Sequence, residues 1–348
     1  MNFLHLILSF CMMTIYSVNP VVEYQTAVPI RHSVGNSDTG SPTEPVATNM
    51  VLQSKDGGQT WQDISAGLPV DEHLEDFFSG ASAIYLRSLD DIYRRENSHE
   101  TPVWEKVNDR NQKSDCIALF RSRITLYNEG GRLYQRTSPS ASWLTDFYAA
   151  QCRAPIRTIF ETSGGTLFGT NNNGIYRSVN GGQTWEQVRD GGGMEMAESD
   201  GMLIGTSQQG IVRSTDDGEH WETVISEGGV GIAVEPIAGG FAAIAYNTTT
   251  KSRRIHLSFD GGRNWKAIDN GLPPSPLISS IKQVGGSLIC GHPDGIFRST
   301  DLGKTWSIVH LEAASPSIFI GPNNNPKKVF KIFVSGDVLY AVARNGGC

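Results

Sequence analysis

The chain has 348 residues, with 29 Lys plus Arg against 36 Asp plus Glu and a formal charge of -7, a balance that leaves no general footprint for nucleic acid. Thirty-eight glycines, only 19% charged residues and no long amphipathic helical pattern exclude a helix bundle and point to short strands joined by tight turns.

Residues 1–19 begin MNFLHLILSFCMMTIY, an almost wholly apolar run too short to span a membrane comfortably, followed by Ser17-Val18-Asn19-Pro20. This is the pattern of a secretory signal segment, so export is expected, with no membrane span in the mature chain. Because the run opens without Lys or Arg, an N-terminal strand is the other reading. Phe10 before Cys11 argues against a lipid anchor, which wants a small residue there. Residues 20–49 contain SVGNSDTGSPTEPVATN, a leader or surface strap without strand alternation.

From residue 50 the chain repeats itself. Trp61, Trp104, Trp143, Trp185, Trp221, Trp265 and Trp306 recur at intervals of 36 to 44 residues, the mark of stacked supersecondary units. The unit from Ile156 to Val188 reads IRTIFE, TLFGT, GIYRS and TWEQV. Four strands of about five residues, with connections of about four, fill one such interval and form an antiparallel meander. MLIGTSQQGIVRSTDDGEHWETV and SLICGHPDGIFRSTDLGKTWSIV repeat it, and AIAYNTTTKSRRIHLSFDGGRNWKAI lengthens one turn. The units around Trp104 and Trp143 keep the strands and lose the glycine-rich turn.

At the ends, MVLQS and TWQDI supply two strands, and KVFKIFV and VLYAVAR supply two more. The expected fold is therefore all-β: one seven-bladed propeller over residues 50–348, closed by pairing the two ends in one blade. Such closure removes exposed sheet edges.

Five units carry Ser-x-Asp/Asn-x-Gly-x-x-Trp: Ser54, Asp56, Gly58 and Trp61; Ser178, Asn180, Gly182 and Trp185; Ser214, Asp216, Gly218 and Trp221; Ser258, Asp260, Gly262 and Trp265; Ser299, Asp301, Gly303 and Trp306. A short carboxylate or amide bonds the backbone of its own turn, glycine takes positive φ, and the indole wedges under the hairpin. These groups are expected to be structural, because boxes spread around a periphery do not converge on one substrate. The motif resembles the Asp-box, or bacterial neuraminidase repeat. With Gly-Ile-Tyr/Val/Phe-Arg-Ser before three boxes, at 174–178, 210–214 and 295–299, the chain looks most like the photosystem II stability/assembly factor type of propeller. That resemblance implies an exported binding or assembly module, and a monomer is expected.

The Asp-box also occurs in exo-sialidases, whose pattern has six blades, an Arg-Ile-Pro segment, three substrate-binding arginines, a Tyr/Glu pair and an Asp acid/base. Here the nearest matches, Pro29-Ile30-Arg31 and Pro155-Ile156-Arg157, run in the reverse order. Sialidase-like glycoside hydrolysis is the alternative function. Another glycosidase would need two suitably spaced carboxylates, for which Asp90, Asp91, Glu129 and Asp294 are candidates. Xyloglucanase-like enzymes with Asp-boxes pair two propellers around a cleft, and this chain offers one.

Turns between second and third strands share one face with the links between blades. On it the strand order places Arg87, Asp90, Asp91, Asn128, Glu129, Asn171, Asn172, Asn173, Gln208, Gln209, Lys251, Arg253, Arg254, His292, Asp294, Arg344 and Asn345. Hydrogen-bonding loops on a rigid scaffold suit a protein, peptide or glycan ligand. Lys251, Arg253 and Arg254 could grip an anionic group, or simply form a solvated hairpin. His292 has no second histidine at metal-ligand spacing and reads as a turn residue, so no metal or cofactor is expected. Cys116, Cys152, Cys290 and Cys348 include no Cys-x-x-Cys pair. Cys116 and Cys152 form either a disulfide in an oxidising compartment or two free thiols. Neither a phosphate-binding glycine loop nor a Gly-x-Ser-x-Gly elbow occurs.

Overall fold

The computed structural model describes residues 50–70, 74–79, 83–88, 91–96 and 102–107, four strands between 116 and 148, residues 158–309 except 183 and 194, and residues 328–345. The proposed signal segment and leader, Trp143 and Cys152 lie outside the described residues, which contain strands and no helix.

The strands assort into four-stranded antiparallel sheets. Sheet A joins the two ends of the repeat, β1 (Val51–Ser54) and β2 (Gln62–Asp63) with β27 (Lys328–Ser335) and β28 (Val338–Asn345). The others are meanders. Sheet B holds β3 (Leu74–Ser79), β4 (Ala83–Ser88), β5 (Ile92–Glu96) and β6 (Glu105–Lys106); sheet C holds β7 (Cys116–Phe120), β8 (Arg123–Tyr127), β9 (Arg132–Arg136) and β10 (Leu144–Tyr148). Sheet D holds β11 (Thr158–Glu161), β12 (Leu167–Asn171), β13 (Gly174–Ser178) and β14 (Glu186–Asp190); sheet E holds β15 (Met196–Ser199), β16 (Met202–Ser207), β17 (Gly210–Ser214) and β18 (Glu222–Ile225). Sheet F holds β19 (Gly228–Ile237), β20 (Gly240–Asn247), β21 (Ser252–Ser258) and β22 (Lys266–Ala267); sheet G holds β23 (Ser280–Val284), β24 (Ser287–His292), β25 (Gly295–Ser299) and β26 (Ser307–Val309). In sheet A, β1 pairs with β28 from Val51 opposite Val342 to Ser54 opposite Leu339.

The period of two along each strand sends alternate residues to opposite faces, so each sheet feeds two apolar layers. Phe168 and Ile175 of D pack on Met196, Leu203 and Val212 of E. Ile204 and Ile211 of E meet Val234 and Phe241 of F. Ile244, Ile255 and Leu257 of F meet Ile281, Leu288 and Cys290 of G. Ile289 and Ile296 of G meet Phe330, Ile332 and Leu339 of A, whose opposite face, with Val51 and Val342, meets Leu74, Phe77 and Leu86 of B. Sheets D, E, F, G, A and B thus pack face to face in that order.

Each Trp-box is a turn between neighbouring strands. Its Ser hydroxyl donates to the Asp Oδ1, at 2.8 Å in the boxes of Asp56, Asp216, Asp260 and Asp301, and accepts the N–H of the box glycine. The same Asp Oδ1 accepts the N–H of the residue four positions on, Thr60, His220, Asn264 or Thr305. Burial alone would raise the Asp56 carboxyl, but the Thr60 hydroxyl and N–H, the Ser54 hydroxyl and the Gln59 N–H bring it down to about 2. Two successive left-handed residues follow the Asp, such as Gly57 at φ 69° and Gly58 at φ 80°. Asp217 and Leu302 adopt the first of these conformations without being glycine, at φ 55° and 58°.

The box docks on the preceding sheet. A Cβ on Gly303 would lie 2.5 Å from Ile268 Cδ1, and one on Gly58 2.6 Å from Ile289 Cδ1. The tryptophans do the same: Trp221, Trp265, Trp306, Trp61 and Trp104 each pack against the layer between their own sheet and the one before it. Their place is thus a junction between sheets.

Two hydrogen-bond devices tie these junctions. The arginine before the box serine reaches the next box: Arg177 Nε donates to the Asp217 carbonyl at 2.8 Å, Arg213 to Gly261 at 2.6 Å, and Arg298 of G to Gly57 of A at 3.0 Å. Sheets A and F carry Gln53 and Leu257 at that position. After these two sheets the following tryptophan reaches back instead. Trp104 Nε1 donates to the Ile64 carbonyl at 2.7 Å and Trp306 Nε1 to Ile268 at 2.8 Å. Both isoleucines sit three residues past a box tryptophan, in WQDISAGLP and WKAIDNGLP. Where the arginine is present, Trp221 and Trp265 bond their own turns, at Gly218 and Gly262.

Candidate binding face

The turns joining β12 to β13, β16 to β17, β20 to β21 and β24 to β25 lie at one end of their sheets, with the link from D to E. Gly191 and Gly192 of that link donate their N–H groups to the Asn173 and Asn172 carbonyls, at 3.1 and 3.2 Å. Turn chemistry explains part of this face. Asn171 is buried and its Oδ1 accepts the N–H groups of Asn173 and Gly174, as an Asx turn requires. Asn172, Asn173, Gln208 and Gln209 are exposed at the two neighbouring tips.

The basic cluster is divided. Lys251 is exposed at φ 52°, whereas Arg253 lies in β21, 8% exposed, with Nη1 donating to the Ile278 carbonyl at 2.9 Å. Arg254 makes a two-pronged ion pair with Asp269 through Nε and Nη2. Both arginines are committed to the protein, on opposite faces of one strand, so they do not form the converging anion grip that their spacing allows in sequence. Arg87 is buried in β4, and Asp91 accepts Lys106 Nζ at 2.6 Å. Buried His292, the last residue of β24, donates from Nε2 to the Pro273 carbonyl at 3.0 Å and accepts the Asp294 N–H at Nδ1. Burial holds its pKa below the ordinary value. Asp294 is exposed, Arg344 is partly exposed near the end of β28, and Asn345 ends that strand. Asp90, Asn128 and Glu129 lie outside the described residues.

Four charged groups at the innermost strands escaped the sequence reading. Glu195, just before β15, accepts Lys331 Nζ of β27 at 2.8 Å, and Glu235 of β19 pairs with Lys282 of β23. All four are buried. The first pair links sheets E and A past the intervening F and G. Burial raises the Glu235 carboxyl, against the opposing pull of Lys282 and Lys331. The available signal was a lysine inside an otherwise apolar strand, as in KVFKIFV. A further pair, His256 Nε2 and Glu227 Oε1 at 3.2 Å, lies beside Arg254 and Asp269, and burial lowers the His256 pKa. Three exposed side chains, Asp216, Glu219 and His220, cluster at one box turn, where His220 Nδ1 lies 2.7 Å from Asp216 Oδ2.

These sheets and turns belong to the β-propeller class, as comparison with solved structures shows. YCF48 bound to D1 peptide aligns at a TM-score of 0.55 and 15% identity, over 86% of this chain and 100% of that one. The GH74 xyloglucanase from Xanthomonas campestris aligns at 0.56 and 14% identity, over 77% of this chain and 55% of that one. The extracellular domain of a putative hybrid two component system from B. thetaiotaomicron aligns at 0.57 and 12% identity, over 85% of this chain and 41% of that one. The chain thus spans about half the xyloglucanase. At these identities the likeness is one of fold. No family model and no curated protein matches the chain. Among the described residues no helix is long and apolar enough to cross a membrane.

Proposed function

We propose that residues 50–348 form one closed seven-bladed propeller of Asp-box type, acting as a monomeric, non-catalytic binding or assembly module through its loop face. Sheets A to G are its blades. The pairing of β1 with β28 and the approach of β7 to both β3 and β11 support closure. Residues 1–19 serve as an export signal and 20–49 as a leader, in keeping with the extracellular domains among the structural neighbours. A protein, peptide or glycan is the ligand, and the peptide in the YCF48 complex is a precedent on a similar scaffold.

The observation that carries this reading is the state of the carboxylates. Glu195, Glu235, Asp269 and Asp91 each face a Lys or Arg partner, whereas the exposed amides of the loop face are left to solvent. A general acid or nucleophile must be free to reach its substrate, and these four carboxylates are engaged by cations of the protein itself. The test sets purified protein against fluorogenic sialosides and xyloglucan oligosaccharides, and separately against peptide and glycan arrays. Array binding without turnover is expected; turnover abolished by substituting Asp91, Asp294 or another loop-face carboxylate would establish the hydrolase instead.

A further inference from the structure

The loop face is chemically uneven. Over sheets F and G its charged groups are largely paired or buried, leaving Lys251 and Asp294 exposed. Over sheets D and E the two tips are neutral. Asn172 and Asn173 stand beside Gln208 and Gln209, and Gln208 Nε2 crosses to the Asn172 carbonyl at 3.3 Å. The Gly191-Gly192 link passes between them. A Cβ on Gly191 would lie 3.1 Å from the Gln209 amide, and one on Gly192 would collide with the Asn171 carbonyl, so glycine lets the tips sit side by side.

The turns need Asn171 and Ser207, whose side-chain oxygens accept N–H groups from Asn173 and Gln209. They do not need the glutamines. A long amide adds nothing to turn geometry, and neither Gln208 nor Gln209 has a positive φ. Among the described residues the side-chain amides of Asn172, Asn173 and Gln209 make no hydrogen bond, and Gln208 keeps its carbonyl oxygen uncommitted. The nearby Asp190 carboxylate is engaged by Gln187 Nε2 at 2.9 Å.

We propose that this shelf, Asn172, Asn173, Gln208 and Gln209, docks an extended, uncharged peptide segment through its main chain. The inference rests on the loop-face binding reading and narrows it to two blades and one ligand class. A primary amide offers a donor and an acceptor side by side, the complement of a peptide group, so each side chain can make a paired contact whatever the ligand's side chains. The shelf has no charge to select an ionic ligand. Neither tip carries an aromatic ring on which a sugar could stack.

The test measures binding of the full chain to arrays of short uncharged peptides, charged peptides and neutral oligosaccharides, at low and high salt. The variants are Asn172→Ala/Gln208→Ala/Gln209→Ala and the near-isosteric Gln208→Glu/Gln209→Glu, which keeps shape and removes donors. Uncharged peptides should bind with affinity indifferent to salt. The alanine variant should weaken them about tenfold or more, as loss of two or three neutral hydrogen bonds implies. The glutamate variant should weaken them too, with thermal unfolding unchanged. Peptide binding that survives both variants would overturn the shelf and leave the loop face standing. Selective binding of oligosaccharides or of charged peptides would overturn the ligand class, and binding to none of the arrays would overturn the loop-face reading itself.

Discussion

The Trp-box works as a turn whose backbone demands are stricter than its sequence pattern. Two left-handed residues in a row suit Gly-Gly, and Leu302, 42% exposed, occupies the first position at φ 58°. A non-glycine residue held there costs about 1–3 kcal/mol, partly offset by the greater freedom of glycine in the unfolded chain. Leu302→Gly should therefore raise stability by about 0.5–1 kcal/mol, read as a higher urea midpoint at unchanged slope. The box carboxylates set an acid limit. Those of Asp56 and Asp301 lie at about 2 when folded, below their ordinary 3.8. A depressed folded value means that the unfolded chain binds protons first, so their contribution is complete above the ordinary value and is lost as pH falls through about 2. A variant carrying Asp56→Asn and Asp301→Asn should be less stable at neutral pH and lose less on acidification to pH 2, followed by circular dichroism. The Asp-Gly pattern was readable from residue types because its bonds are local. The strain at Leu302 was not, since leucine carries no mark of the φ it is forced to adopt.

At the level of the strand and turn, each described junction from sheet D to sheet B uses either the arginine of the outgoing sheet or the tryptophan of the incoming one. Trp306→Phe removes the Nε1 donor to Ile268 together with the five-membered ring that packs on the layer between F and G, so a cost of about 1–3 kcal/mol is expected, with weakened amide protection in β22 and β26. Trp265→Phe should instead loosen its own turn at Gly262. Arg298→Ala should cost about 1.5–3 kcal/mol, because a charged donor is lost at the junction that joins G to A. Deuterium exchange localises each effect. The Gly-Ile-x-Arg-Ser motif was visible in the sequence, but the role of its arginine was hidden. Its acceptor is a main-chain carbonyl, which any residue supplies and which lies 40 positions away for Arg177 and 241 for Arg298.

For the molecule as a whole, the Glu195 and Lys331 pair is a contact that spans non-neighbouring sheets. Lys331→Met would leave a buried carboxylate uncompensated and should cost about 3–5 kcal/mol, whereas Lys331→Met with Glu195→Leu should recover most of that loss. Denaturant unfolding of both variants checks the pair, and equal losses in the two would contradict it. The same long-range geometry decides the candidate face. Lys251, Arg253 and Arg254 are neighbours in sequence, yet the alternation of β21 sends the two arginines to opposite sides, one onto Ile278 and one onto Asp269. Asn172 and Gln208, 36 positions apart, come together because successive sheets present their turns at one end.

By itself the sequence determined the all-β class, the roughly 40-residue period, the strand order within each unit and the pairing of the two ends in sheet A. These follow from local signals, the alternation of apolar residues and the turn chemistry of Gly, Asn, Asp and Ser, which act over a few residues. The tertiary structure alone decided which tryptophans bridge sheets, where the arginines end, how the innermost charges pair and which turn tips adjoin. Those outcomes depend on sheet-to-sheet packing, where the partner is often a backbone carbonyl or a side chain a whole repeat or more away. Composition and periodicity carry no record of such a partner.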